Sequence, residues 1–285
     1  MRASLLTCLT SLRITDTSLR RLQARGQWVT PQFTLNTASG WQAFGFASNL
    51  TEPRHLVFDT LGQLLVVERD TGITAFTLNP DGSAASRSVL LSLTDLNTAI
   101  AISEDGSVLF ASSANNAWGW DYDASTLTLT NQRLLVTGMN NSDHVTRTIL
   151  RSKAHPELLV IARGSASNLD YASANITSGP AQVRVFDWTS VPAGGHTWLD
   201  GAVLSYGTRN EVGLDEDGAG HVWGVENSAD NLVRVVNGTV SPYQTSDNFP
   251  YSLDLLRRPP MSIKITQQKS CITVSSHNYV ALWRD

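Results

Sequence analysis

A short unit that recurs along the chain does most to limit what this sequence can fold into. Pro53-Arg-His-Leu-Val-Phe-Asp-Thr-Leu-Gly-Gln-Leu-Leu-Val-Val-Glu-Arg69 is an apolar run, an Asp-x-x-Gly turn and a second apolar run. Ala99–Ser112 repeats that plan around Ser-Glu-Asp-Gly, and Glu211–Val225 repeats it around Asp-Glu-Asp-Gly. Thr148–Ala162 is a looser copy with Pro156 near its turn. Branched apolar runs joined by a tight polar turn read as β-hairpins. Between the copies lie further strand-like runs at Ile73–Leu78, Val89–Leu93, Ala117–Tyr122 and Gln182–Trp188. Helical periodicity is nearly absent. The copies return every roughly 45 to 60 residues, the period of a four-stranded propeller blade. The expected fold is therefore all-β and a β-propeller.

Composition narrows the function classes. The 21 basic and 25 acidic residues give a net charge of −4, without the basic stripe that nucleic-acid binding needs. Apolar stretches fall far short of the roughly 18 residues of a membrane helix, so no membrane span is expected. Charged residues at only 16%, abundant hydroxyls and eight Trp suit a secreted all-β protein. Arg2 and the weakly apolar Ala3–Leu12 form at best a poor signal region. Four glycosylation sequons, at Asn49, Asn140, Asn175 and Asn237, agree mildly with secretion. The two cysteines, Cys8 and Cys271, read either as free thiols or as one disulfide. Trp118 and Trp120 suit blade packing better than sugar stacking.

Three patches carry the chemistry. They are Leu64–Ile73; Ser142-Asp-His-Val-Thr-Arg-Thr148 with Arg163-Gly-Ser-Ala-Ser-Asn-Leu-Asp170; and Tyr206-Gly-Thr-Arg-Asn-Glu-Val-Gly-Leu214 with Trp223-Gly-Val-Glu-Asn-Ser-Ala-Asp-Asn-Leu232. In this order the set resembles the soluble quinoprotein sugar dehydrogenases, with the fungal pyranose dehydrogenases and sorbosone-dehydrogenase-like proteins nearest. The resemblance covers roughly residues 40 to 234, and its Gly-x-Arg-Asn-x-x-Gly and Glu-Asn-Ser-x-Asp-Asn motifs are specific in combination.

The resemblance implies a six-bladed β-propeller holding pyrroloquinoline quinone near its axis, with calcium polarising the quinone. It implies a sugar substrate and an external electron acceptor, such as a haem domain or cytochrome, in an extracellular setting. His144 is then the general base on the sugar hydroxyl, a task suited to an imidazole. Arg209 and Asn210 match the cofactor-contacting Arg-Asn, and a guanidinium binds a quinone carboxylate in bidentate fashion. Arg69 is a second carboxylate partner, or else a surface arginine paired with Glu68 or Asp70. Asp170 is the candidate to orient His144, with Asn168 and Asp143 as alternatives and a turn-forming role as the plain reading. Asn227 and Ser228 fall where the family offers main-chain carbonyls to calcium, which takes oxygen ligands.

Only four copies of the hairpin fit before about residue 235, so about four to five blades of a six-bladed-type ring are expected. Residues 1–40 are expected to be irregular, 41–234 to hold the blades, and 235–285 to be a divergent tail with one or two strands. The alternative function is a non-catalytic β-propeller binding module, or a degenerate fragment. The two readings part on whether His144 and Arg209-Asn210 share one axial face.

Overall fold

The computed structural model describes residues 28–31, 34, 36–168 and 170–227, and the backbone alone of 233–236, 239–242, 273–275 and 279–284. Cys8, Cys271, Asn237 and Ser228 lie outside the described residues. After β1 (Gln42–Ala47), strands β2 (Pro53–Phe58), β3 (Leu64–Glu68), β4 (Gly72–Leu78) and β5 (Ala84–Ser92) form one sheet in sequence order. Strands β6 (Leu96–Ile102), β7 (Val108–Ser113), β8 (Ala117–Asp123) and β9 (Thr128–Thr137) form the next. The third is β10 (Ile149–Arg151), β11 (Leu158–Arg163), β12 (Gln182–Asp187) and β14 (Ala202–Tyr206); the short β13 (His196–Thr197) crosses back to pair parallel with β9. A fourth sheet opens with β15 (Glu211–Glu216) and β16 (Val222–Glu226). Hairpin β17 (Val233–Val236) and β18 (Thr239–Pro242) follows, and β19 (Thr273–Ser275) and β20 (Tyr279–Arg284) join β1.

Successive antiparallel meanders of four strands are the blades of a β-propeller. Every copy of the repeated unit is the first hairpin of its sheet: β2–β3, β6–β7, β10–β11 and β15–β16. Three of the four turns use one device. The main-chain N–H of Gly62, Gly106 and Gly220 donates to the carbonyl three residues back, at 3.1, 3.0 and 3.1 Å, on Asp59, Ser103 and Asp217. Each of these glycines sits at positive φ, between 75° and 82°, where a Cβ is unfavourable. The Asp59 and Asp217 carboxylates also accept main-chain N–H groups inside their own turns. The looser copy lacks the glycine; there the Ser152 hydroxyl accepts the His155 N–H at 2.9 Å.

The second strand of the first three blades is buried on both faces, which explains its unbroken apolar run, whereas β16 leaves Val225 exposed. Alternate residues feed different clusters. Leu64 and Val66 pack with Phe46 and Phe76 on one side of the first sheet. Leu65 and Val67 meet Leu109, Ala111, Trp118 and Trp120 between the first and second sheets. Phe110 and Leu135 meet Leu159, Ile161, Phe186 and Trp198 between the second and third. Val160 and Val183 meet Val222 between the third and fourth. Trp118 and Trp120 are thus packing residues of the blade interface. Among the described residues no helix is long and apolar enough to cross a membrane.

Candidate functional site

In an antiparallel hairpin the start of the first strand lies beside the end of the second. Register pairs Ile149 with Ile161 and Glu211 with Glu226, so the loops entering β10 and β15 sit beside those leaving β11 and β16. This edge collects His144 before β10, Gly164 and Ser165 after β11, Arg209 and Asn210 before β15, and Asn227 after β16. Main-chain bonds tie them: Ser165 N–H to the Arg209 carbonyl at 2.7 Å, and Asn227 N–H to the Asn210 carbonyl at 2.9 Å. Thr148 Oγ1 adds a bond to the Glu211 carbonyl at 2.7 Å, joining the third blade to the fourth.

His144 and Asn210 approach each other across Gly164. A Cβ at Gly164 would lie 2.5 Å from His144 Cβ, 2.9 Å from the His144 carbonyl and 3.1 Å from Asn210 Oδ1. Only a residue without a side chain allows this approach. Asn210 is buried and its Oδ1 accepts the Thr146 hydroxyl. His144 Nδ1 lies 2.9 Å from Ser165 Oγ and 3.2 Å from the Ser165 carbonyl.

The His144 loop is pinned from beneath. Arg147 is 0% exposed, yet among the described residues no carboxylate pairs with it. Its guanidinium instead donates to the carbonyls of His144 (2.8 Å), Thr146 (2.6 Å) and Met139 (2.6 Å), and to Asn141 Oδ1 (3.0 Å). Burial, with the nearby Arg163 charge, lowers it to about 9. The Asn141 amide converges on the carbonyls of His144, Gly164 and Ser165 at 3.1, 3.1 and 2.8 Å. Asn97 of the second blade holds the Val145 carbonyl at 2.8 Å.

Arg209 is partly exposed. Its Nε donates to Asn168 Oδ1 at 2.7 Å and its Nη1 to the Asn227 carbonyl at 3.0 Å. Its main-chain N–H donates to Glu226 Oε1 at 2.5 Å. Ser165 and Arg209 line a cleft of about 190 Å³ with Asn168, Asp170, Tyr171 and Thr208. Behind them, Glu211 and Glu226 face each other on neighbouring strands, both buried, and each has an Oε2 without a partner among the described residues. Burial, and then the Glu226 charge, pushes Glu211 up to about 8; burial raises Glu226 too, against the Arg209 bond.

Two sequence expectations change here. Asp170 caps the short turn Tyr171–Ala174, accepting the N–H of Ala172 at 3.1 Å and of Ala166 at 2.9 Å. The atom beside His144 Nδ1 is Ser165 Oγ, so the orienting position expected of Asp170 belongs to Ser165. Arg69 emerges at the end of its buried strand, but Glu52 and Asp70 hold it at 3.5 and 3.4 Å. Among the described residues no contact ties it to His144 or Arg209. Its alternative reading as a surface ion pair describes it better, with Glu52 as the partner in place of Glu68. Ser165, Asn141 and Arg147 carry no motif of their own; in the sequence they are marked only by lying inside or beside Ser142–Thr148 and Arg163–Asp170.

Fold and site together define a β-propeller with a supported imidazole and an Arg-Asn pair converging on one face. The chain belongs to the TrAA12-like family, whose model matches residues 35–259. It is 44% identical over 210 residues to a pyrroloquinoline quinone-dependent pyranose dehydrogenase of Coprinopsis cinerea, covering 73% of this chain and 29% of that protein. It is 38% identical over 206 residues to a pyrroloquinoline quinone-dependent sugar dehydrogenase of Hypocrea jecorina, covering 69% and 48%. The chain therefore spans from under a third to about half of the length of these relatives. Among solved structures, the holo pyranose dehydrogenase PQQ domain from Coprinopsis cinerea matches with a TM-score of 0.71 at 42% identity, covering 75% of this chain and 53% of that one. A calcium structure of the Trichoderma reesei Family AA12 enzyme matches with a TM-score of 0.65 at 38% identity, covering 70% and 51%.

Proposed function

We propose that this chain carries the base and part of the cofactor face of a pyrroloquinoline quinone-dependent sugar dehydrogenase, oxidising aldoses or pyranoses. The convergence of His144 with Arg209 and Asn210 across Gly164 is the observation that carries the reading. The residues present fit both implied groups. Arg209 offers a guanidinium at the cleft to a quinone carboxylate, and the buried Asn210 follows it in sequence. The Asn227 carbonyl and the orphaned, buried Glu226 Oε2 are the oxygen donors a hard calcium ion takes, and Ser228 adjoins them in sequence.

When bound, the quinone supplies the two-electron acceptor for hydride from the sugar. His144 takes the hydroxyl proton from the sugar, and the carbonyl contacts of Arg147 and Asn141 keep the imidazole from drifting. Arg209 balances negative charge near the cofactor. An external electron acceptor, a haem domain or cytochrome, belongs to the same reading as the partner of the loaded protein. An extracellular location completes the reading, supported by the exposed sequon asparagines Asn49, Asn140 and Asn175; a mass shift on endoglycosidase treatment of the native protein checks it.

The test is to titrate the protein with pyrroloquinoline quinone in calcium and then add aldoses with a reducible dye. Saturable binding, with dye reduction abolished by His144→Ala, supports the enzyme. Absence of saturable binding overturns this reading and leaves a non-catalytic propeller.

A further inference from the structure

We propose that Ser165 is a positioning residue that fixes the tautomer of His144, placing the proton on Nδ1 and leaving Nε2 as the basic atom. This deepens the dehydrogenase reading and takes the role of His144 from it. A serine hydroxyl has one proton to give. Ser165 Oγ gives it to the Ser167 carbonyl at 2.7 Å. The side of Oγ that faces His144 Nδ1, 2.9 Å away, is therefore a lone pair. The Ser165 carbonyl, 3.2 Å from the same nitrogen, can only accept as well.

Nδ1 thus meets two acceptors. With the proton on Nδ1 both contacts are hydrogen bonds. With the proton on Nε2 both become lone-pair repulsions. Among the described residues no partner engages Nε2. The acceptors cannot drift away, because the Asn141 amide holds the carbonyls of Ser165, Gly164 and His144, and Arg147 holds the His144 carbonyl from the other side. Histidines in functional sites commonly have one nitrogen committed so that the other can react. Here a hydroxyl and a carbonyl do this where a carboxylate is the more usual partner.

The test needs neither quinone nor sugar, so it can fail while the dehydrogenase reading stands, and the reverse. Nitrogen-15-labelled protein is examined by long-range proton–nitrogen correlation at about pH 9, where imidazole is neutral. His144, assigned by loss of its signals in His144→Ala, is expected to show a protonated-type shift on Nδ1 and an unprotonated-type shift on Nε2. Ser165→Ala removes one of the two acceptors. It should lower the Nδ1–H to Nε2–H ratio about fivefold, the worth of one ordinary hydrogen bond. Ser165→Thr retains the hydroxyl and should hold the parent ratio. A parent protein with Nε2 protonated overturns the proposal, and so does a folded Ser165→Ala variant with an unchanged ratio.

Discussion

Replacing Glu211 with Gln should make the protein more stable at alkaline pH and leave it little changed in acid. Glu211 faces Glu226 across the β15–β16 pair, and burial with that neighbouring charge moves its carboxyl from 4.5 to about 8. The direction follows from proton binding. Below about pH 4.5 the group is protonated in both folded and unfolded chains, and its stabilising contribution is fully present. As pH rises toward 8 the unfolded chain gives up the proton while the folded protein keeps it, so stability falls. Above 8 that contribution is lost, and the folded protein carries a buried charge whose Oε2 has no partner among the described residues. At about 1.4 kcal/mol for each pH unit, the interval from 4.5 to about 8 corresponds to at most about 5 kcal/mol. Gln has nearly the same shape and no charge, so the variant lacks this part of the slope. Urea unfolding of parent and variant in calcium-free buffer with chelator, from about pH 4.5 to 9, measures the difference directly. Parallel stability curves across that range would refute the argument, and so would a parent that gains on the variant as pH rises.

Gly164→Ala should destabilise the fold by about 1–3 kcal/mol and lower sugar oxidation, because the new methyl overlaps His144 Cβ and its carbonyl; thermal unfolding and dye reduction read the two effects. Arg147→Met should cost about 3 kcal/mol, since the Met139 and Thr146 carbonyls lose their donor and the His144 carbonyl and Asn141 oxygen each lose one of two; denaturant melts measure it. Tyr122→Phe should cost about 2 kcal/mol by deleting the 2.7 Å bond to Asp59 Oδ2, the carboxylate that also shapes the β2–β3 turn; the same melts serve.

The repeated hairpins were legible because burial on both faces forces unbroken apolar runs, and the turns between them demand Asp or Ser with Gly. The outer strands were harder. β9 is buried only near its end, at Leu135 and Val136, and β14 is largely exposed, so burial leaves no continuous run to mark their length. β13 joins the sheet of the preceding blade, a pairing between distant segments that local pattern cannot reveal. In the site, His144, Arg209 and Asn210 stood out by residue type and motif, and the structure brings them to one edge. Asp170 and Arg69 show the limit of spacing. A carboxylate in a loop is as well satisfied by nearby N–H groups as by a distant imidazole. An arginine at a strand end goes to whichever carboxylate flanks it, here including Glu52 from another turn. Ser165 went unnoticed because a serine after a strand has no distinctive chemistry until its hydroxyl proton is traced.

Arg147 gives the two halves of this site different responses to ionic strength. Its partners are carbonyl dipoles in the buried interior, with no carboxylate counterion among the described residues for dissolved salt to displace and little screening. The backbone under His144 should therefore hold its place in brine as in dilute buffer. Arg209 stands partly exposed at an open cleft, where chloride competes for a guanidinium. Rising salt should then weaken capture of an anionic cofactor and leave the geometry of the base intact. A concentrated salt solution becomes a means of separating the two halves without a mutation.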